Sequence, residues 1–185
     1  MQVTKTDLEG VLILEPKVFG DARGWFMETW SARKFEAAGL NFNFVQDNQS
    51  YSAQRGTLRG LHYQTAPFAQ AKLVRCTRGK LLDVAVDIRE GSETFAKWVA
   101  VELTAENKKQ LLIPRGFAHG FLTLTDDVEI QYKADNFYAP TCDGNIIWND
   151  AEINIAWNFP PTILADKDAK APTLRERLER GELRF

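Results

Sequence analysis

The chain has 185 residues, a formal net charge of −2 and a pI near 5.8. That length suits one domain with a sizeable core, and the charge balance excludes bulk attraction to nucleic acid or to an anionic membrane, so any anion must be met by local cations. Cys76 and Cys142 form no C-x-x-C, no apolar run approaches the roughly 18 residues of a membrane span, and residues 1–6 lack the apolar stretch of a secretion signal. These features point to a reduced, cytoplasmic, mature chain.

From residue 8 to about 163 the hydrophobic pattern is mainly of period two, broken at short intervals by turn residues, which predicts many short strands. Residues 19–28 read as a turn entering a strand. Residues 31–38 read as a short helix, with Ser31 as cap and Gly39 just past its end. The strand around residues 56–64 is bracketed by glycines. In residues 80–89, Leu82, Val84, Val86 and Ile88 share one face while Asp83, Asp87 and Arg89 share the other. Residues 98–103, 110–113, 120–124 and 128–133 extend the series, with turns at Glu90-Gly91-Ser92 and Asp126-Asp127. Residues 160–172 form an extended tail leading to a last helix over 173–180, where Thr173 and Glu176 stand at capping-box spacing and Gly181 marks the stop. The expectation is a mainly β single domain, residues 1–185: a strand body over about 8–163, then a tail and short helix over about 164–185. Many antiparallel strands give a sandwich, jelly roll or barrel, with room for a cavity between sheets.

The chain has only two histidines, and each sits in a dense motif: Arg59-Gly60-Leu61-His62-Tyr63-Gln64 and Pro114-Arg115-Gly116-Phe117-Ala118-His119-Gly120-Phe121. Histidine exchanges protons near neutral pH. No His-x-His pair exists, which argues against a metal site. In strict alternation His62 shares a face with Leu58 and Gln64, and Arg59 points the other way; for both to serve one site the strand needs a bulge or bend, least costly at Gly60. Lys72 alternates with Val74 and Cys76, so it heads for a partner or ligand in the interior or snorkels to a rim. Tyr132 lies on the face of Val128 and Ile130, as a core tyrosine or an acid. Phe137 and Tyr138 follow in a loop, where aromatic rings can stack on a flat ligand. Asp168 is an ordinary solvated tail residue unless the tail folds back to hold a histidine. Arg23, Arg59 and Arg115 together could grip a phosphate, although each alone reads as a surface arginine. Residues 46–50 offer neutral hydrogen-bonding groups for a sugar or base edge. Neither a P-loop nor G-x-G-x-x-G occurs, which disfavours ATP and dinucleotide enzymes of those types.

The strings Gln46-Asp47-Asn48-x-Ser50, Gly56-x-Leu58-Arg59-Gly60-Leu61-His62-Tyr63-Gln64, Lys72-Leu73-Val74-Arg75, Asp83-Val84-Ala85-Val86-Asp87-Ile88-Arg89, Ile113-Pro114-x-Gly116-Phe117-Ala118-His119-Gly120-Phe121 and Ile147-Trp148-Asn149-Asp150 run in order across nearly the whole chain. Together they resemble the dTDP-4-dehydrorhamnose 3,5-epimerases, the RmlC-type sugar-nucleotide epimerases. The resemblance implies a double-sheet jelly roll of the cupin type with a few short helices, a homodimer, and no metal or other cofactor. It implies conversion of dTDP-4-dehydro-6-deoxy-D-glucose, a dTDP-linked 4-keto-6-deoxy sugar, to dTDP-4-dehydro-L-rhamnose. Carried over by position, His62 is the general base, Tyr132 the acid on the other face, Asp168 the support of His62, and Lys72 the stabiliser of the oxyanion. Phe19, Arg23, Glu28, Gln46, Asn48, Arg59, His119, Tyr138, Asp143 and Lys167 form the implied binding set, with Tyr138 stacking on thymine. The chain departs from the family pattern at Gln49, often histidine, at Ala71, often glycine, and near Asp143, where glutamate is usual. No departure removes a proposed catalytic group.

Four other readings share parts of this pattern. A relative that epimerises only C3 or only C5 needs much the same groups, and a ketoisomerase moving the carbonyl between C4 and C3 is a weaker match. A non-enzymatic sugar-binding cupin needs no acid and base on opposite sides of its ligand. A metal-dependent cupin oxygenase would need metal ligands that the motif spacing does not offer.

Overall fold

The computed structural model describes residues 1–185. The chain opens with β1 (Gln2–Lys5), β2 (Leu12–Glu15), the pair β3 (Val18–Asp21) and β4 (Gly24–Met27), and helix α1 (Ala32–Ala37). The body follows as β5 (Gln46–Ser52), β6 (Leu58–Gln64), β7 (Lys72–Arg78), β8 (Lys80–Asp87), β9 (Trp98–Thr104), β10 (Gln110–Ile113), β11 (Phe117–Thr123) and β12 (Val128–Ala134). A short β13 (Asp143–Asn145), a one-turn α2 (Asp166–Ala169) and α3 (Leu174–Glu179) complete it. A six-stranded sheet runs β1-β2-β10-β7-β12-β5, a five-stranded sheet runs β13-β6-β11-β8-β9, and β3 and β4 form a separate hairpin. The strand ladders are antiparallel. Strands distant in sequence lie side by side because the chain passes repeatedly between the two large sheets. The result is a double-sheet jelly roll of cupin-like form.

Three apolar clusters hold this arrangement. Between the sheets, Val74, Leu111, Val128 and Ile130 meet Leu81, Ala85, Phe117 and Phe121. Leu82, Val84, Val86 and Ile88 pack on the outer face of the five-stranded sheet against Ile146, Ile153, Ile155, Leu174 and Leu183 of the C-terminal segment. Phe35 of α1, with Trp30, Phe42 and Phe44, covers Leu14, Leu73 and Leu112 on the outer face of the six-stranded sheet. The alternation in β8 therefore has no solvent face: the tail roofs one side and the sandwich interior takes the other. Asp83 and Asp87 are fully buried as a result, each with a hydrogen-bonding partner, as a buried carboxylate requires. Asp87 accepts from Arg89, Ser92 and Thr94.

The helical signals differ in outcome. The capping box at α3 forms as its spacing predicts: Thr173 Oγ1 accepts from Glu176 N–H at 3.2 Å, and Glu176 accepts from Thr173 N–H at 2.7 Å. At α1 Ser31 occupies the cap position, but its side chain makes no capping bond. The irregularity anticipated at Gly60 is present. His119 pairs with His62 but Phe121 pairs with Arg59, so β6 carries one more residue than β11 across that interval. Gly60 has φ +138°, and a Cβ there would lie 2.5 Å from Gly120 Cα. The extra residue brings Arg59 and His62 to the same cavity, which strict alternation would forbid. No helix is long and apolar enough to cross a membrane.

Candidate active site

The two large sheets part at one end around a cavity of about 560 Å³. The five-stranded sheet supplies Arg59, His62, His119 and Phe121, and the six-stranded sheet supplies Asn48, Lys72, Ile130 and Tyr132. The tail closes one side with Ile163, Leu164, Ala165, Lys167 and Asp168. It returns to the body through a parallel bridge between Thr57 and Ile163.

His62 Nε2 lies 2.7 Å from Asp168 Oδ1, and Asp168 is only 1% exposed. A carboxylate accepts from the ring N–H it faces, so the proton sits on Nε2 and the lone pair on Nδ1, which has no protein hydrogen bond. Burial alone would raise the Asp168 carboxyl, but hydrogen bonds from His62 and from the Gly60 N–H, the latter at 3.3 Å, hold it below the usual range. The ionised carboxylate can then steady a positive imidazolium. His119 has a similar partner: Nε2 lies 2.8 Å from Asp83 Oδ1. Its surroundings differ, because His119 is deeply buried, and this burial lowers its pKa against the opposing pull of Asp83. A neutral His119 that gives Nε2–H to Asp83 has only an acceptor left to offer a ligand.

Lys72 makes no salt bridge within the protein. Its Nζ lies 5.9 Å from the Tyr132 ring centre. Burial brings its pKa down to about 8, while Asp143 and Asp83 work to retain the proton. Burial likewise raises the Tyr132 hydroxyl above its ordinary value, opposed by Arg59, so the phenol keeps its proton at neutral pH. That hydroxyl has no hydrogen-bond partner in the protein. The site therefore holds an imidazole with a free ring nitrogen on one wall, a protonated phenol on the other, and a lysine under the influence of buried Asp83 and the more exposed Asp143.

The remaining candidates divide by position. Asn48, Arg59, His119 and Lys167 line the cavity. Arg59 is held at its mouth by Ser52 Oγ and Tyr51 C=O. Gln46 joins Asn48 through a 3.0 Å bond and accepts from the Tyr138 N–H at 3.0 Å, leaving the Tyr138 ring exposed. Asp143 lies 4.0 Å from Lys167. Phe19, Arg23 and Glu28 do not line this cavity. Phe19 and Arg23 sit on the β3–β4 hairpin and Glu28 just beyond it, where Arg23 pairs with Asp21 at 2.6 Å and Glu28 with Lys34 at 2.8 Å. The three arginines considered for a phosphate grip do not converge within the chain, since Arg115 is paired with Asp135 at 3.0 Å and only Arg59 reaches the cavity. Sequence reasoning passed over Asp83 as a partner for His119; the available signal was a carboxylate within an otherwise apolar strand. Asn145 gave no signal, because its side chain bonds to Lys167 and Arg177, in segments distant in sequence.

A second hollow of about 370 Å³ lies over the six-stranded sheet, bordered by Asp47, Gln49, Arg75, Gln131 and Lys133. Its polar groups are largely spent on one another: Lys133 on Asp47 at 2.8 Å and Arg75 on Gln131. Neither histidine reaches it. No group of three or more His, Cys, Asp or Glu side chains converges as a metal site would require.

The chain joins a cupin-like jelly roll to a cavity with an imidazole and a phenol on facing walls, and its relatives are enzymes of the isomerase type. Residues 5–176 match the family model described as dTDP-4-dehydrorhamnose 3,5-epimerase. A dTDP-4-dehydrorhamnose 3,5-epimerase of Shigella flexneri is 56% identical over 169 residues, covering 91% of this chain and 93% of its own. The epimerase of Legionella pneumophila, solved in complex with dTDP-4-keto-L-rhamnose, is 42% identical with a TM-score of 0.93, covering 100% of this chain and 98% of its own. ChmJ, a 3'-monoepimerase of Streptomyces bikiniensis, is 37% identical with a TM-score of 0.91, covering 97% and 91%. The chain belongs to the dTDP-4-dehydrorhamnose 3,5-epimerase family.

Proposed function

We propose that this protein inverts C3 and C5 of dTDP-4-dehydro-6-deoxy-D-glucose to give dTDP-4-dehydro-L-rhamnose, with His62 as base and Tyr132 as acid. The observation that carries this reading is their placement on opposite walls of one cavity, His62 in β6 and Tyr132 in β12. Inversion requires removal of a proton from one face of a carbon and its return to the other. Both C3 and C5 are alpha to the C4 ketone, so each loses its proton as an enolate whose charge collects on the C4 oxygen. Lys72 meets that oxygen as charge develops, where a positioned donor acts most strongly. His62 becomes an imidazolium opposite the Asp168 carboxylate, and Tyr132 delivers its hydroxyl proton to the far face. A net proton transfer from Tyr132 to His62 is reversed through solvent before the next inversion. Asn48, Arg59, His119, Lys167, Gln46, Asp143 and the Tyr138 ring bind the sugar nucleotide.

The protein works as a homodimer in this reading. Phe19 and Arg23 on an exposed hairpin, and Glu28 just beyond it, lie off their own cavity, a placement that suits delivery of these residues to the cavity of a second copy. Incubation with dTDP-4-dehydro-6-deoxy-D-glucose in deuterated water, read by NMR, tests the chemistry. Deuterium enters both C3 and C5, and His62→Ala abolishes both exchanges while dTDP still binds. Label at C3 alone would assign the activity of a monoepimerase, the reading favoured by the likeness to ChmJ. No label at either carbon would leave a binding module.

A further inference from the structure

We propose that Asn145 and Arg177 are positioning residues for the reaction: they fix α2 so that Asp168 meets His62. The inference rests on the reading of His62 as the base. Asn145 pairs with His62 in the ladder between β13 and β6. Its side chain leads elsewhere. Nδ2 donates to the Lys167 C=O at 2.9 Å, and Oδ1 accepts from Arg177 Nη2 at 2.7 Å. Arg177 Nε also donates to the Asn145 C=O at 3.0 Å, and Nη1 is taken by Glu182 at 2.5 Å. Only one orientation of the amide satisfies both neighbours, because the guanidinium can only donate and the carbonyl can only accept. The side chain is therefore a directional link from α3 to α2.

That link matters because α2 has little hold of its own. It is a single four-residue turn with no side-chain cap, and such a turn has no intrinsic stability in water. Lys167, whose carbonyl Asn145 holds, immediately precedes Asp168. At the other end, Arg177 is only 17% exposed in its side chain, on a helix rooted by fully buried Leu174, whose N–H donates to Asp150 at 2.8 Å. The chain of bonds runs from an anchored helix, through the strand beside the base, to the backbone next to the carboxylate that orients it.

Asn145→Asp isolates the link. The aspartate still accepts from Arg177 but cannot donate to the Lys167 carbonyl, and places negative charge against it. With two histidines in the chain, imidazole 15N spectra are read directly. The proposal predicts that His62 resonances move while those of His119 stay in place, the latter also reporting an intact core. It further predicts a kcat about 100-fold lower, the scale on which a misplacement near 1 Å acts. Added to Asp168→Asn, the substitution then costs no more than about twofold, since both act through one contact. Should Asn145→Asp not fold, Asn145→Ala removes the donor to Lys167 together with the acceptor for Arg177 and carries the same predictions. Unmoved His62 resonances, a loss confined to KM, or losses that multiply in the double variant would each overturn the proposal. Full turnover by Asp168→Asn alone would overturn the reading of the His62–Asp168 pair, and the proposal with it; loss in Asp168→Asn but independent action of Asn145 would overturn the proposal only.

Discussion

The two histidines carry the same ring and the same kind of partner, a carboxylate within 2.8 Å of Nε2, yet their surroundings separate them. His62 borders solvent through the cavity, and its free Nδ1 can take a proton because Asp168 stands behind the resulting charge. His119 is pressed towards the neutral form by burial, so it suits the recognition of a hydroxyl better than the acceptance of a proton from carbon. Lys72 offers a sharper test. Its group is charged below its pKa of about 8 and neutral above it, so the oxyanion stabilisation proposed for Lys72 is present below pH 8 and lost as pH rises through it. The rate of deuterium incorporation should therefore fall on that limb, and Lys72→Met should lose the limb together with about 100-fold or more of kcat. A wild-type profile flat to pH 10 would remove Lys72 from the role. The residue types in the motifs made most of this constellation legible in the sequence. Asp83 stood out there only as a carboxylate within an apolar strand, a pattern that looks the same whether its far side meets water or a buried imidazole.

At the scale of elements, the decisive device is the meeting of β6 and β11 at two glycines. Gly60 adopts a positive φ, and a side chain on Gly120 would stand 3.0 Å from both the Arg59 C=O and a Leu61 methyl. Gly60→Ala should cost about 3 kcal/mol or more, through left-handed backbone strain and backbone overlap together. Thermal melting measures that cost. Activity per folded molecule should fall as well, because relief of the overlap separates Arg59 from His62; an alanine variant with unchanged melting and turnover would show that the close approach is not required. Pattern alone made the strands of the body readable, since period-two runs between turn residues leave few alternatives, and the Thr173–Glu176 box announced α3. The turn α2 escaped that reading. Its sequence Asp166-Lys167-Asp168-Ala169 has no apolar period and forms only because the folded body supplies its contacts. The tail that holds it resembled a solvated linker for the same reason.

At the scale of the molecule, one apolar surface stays uncovered. The hairpin leaves Trp25 59% and Phe26 69% exposed, and adjacent exposed aromatics on a projecting hairpin favour a protein partner. For the proposed homodimer, Trp25→Ser with Phe26→Ser should shift sedimentation to the monomer and raise KM for the sugar nucleotide, while the far-UV spectrum and melting of the body change little. A double variant that remains dimeric with unaltered KM would dissociate the hairpin from both roles. Neither the exposure nor the distance of Phe19, Arg23 and Glu28 from the cavity was visible in the sequence, because motif strings carry no record of where a segment lies in the fold. The return of the tail has one more consequence, which lies in time. His62 and Asp168 are 106 positions apart. On the ribosome the imidazole emerges long before its carboxylate, which follows every strand of both large sheets. The growing chain can thus enclose a cavity while the imidazole inside it still has no fixed tautomer, and the last part of the site to be assembled is the one that orients its proton.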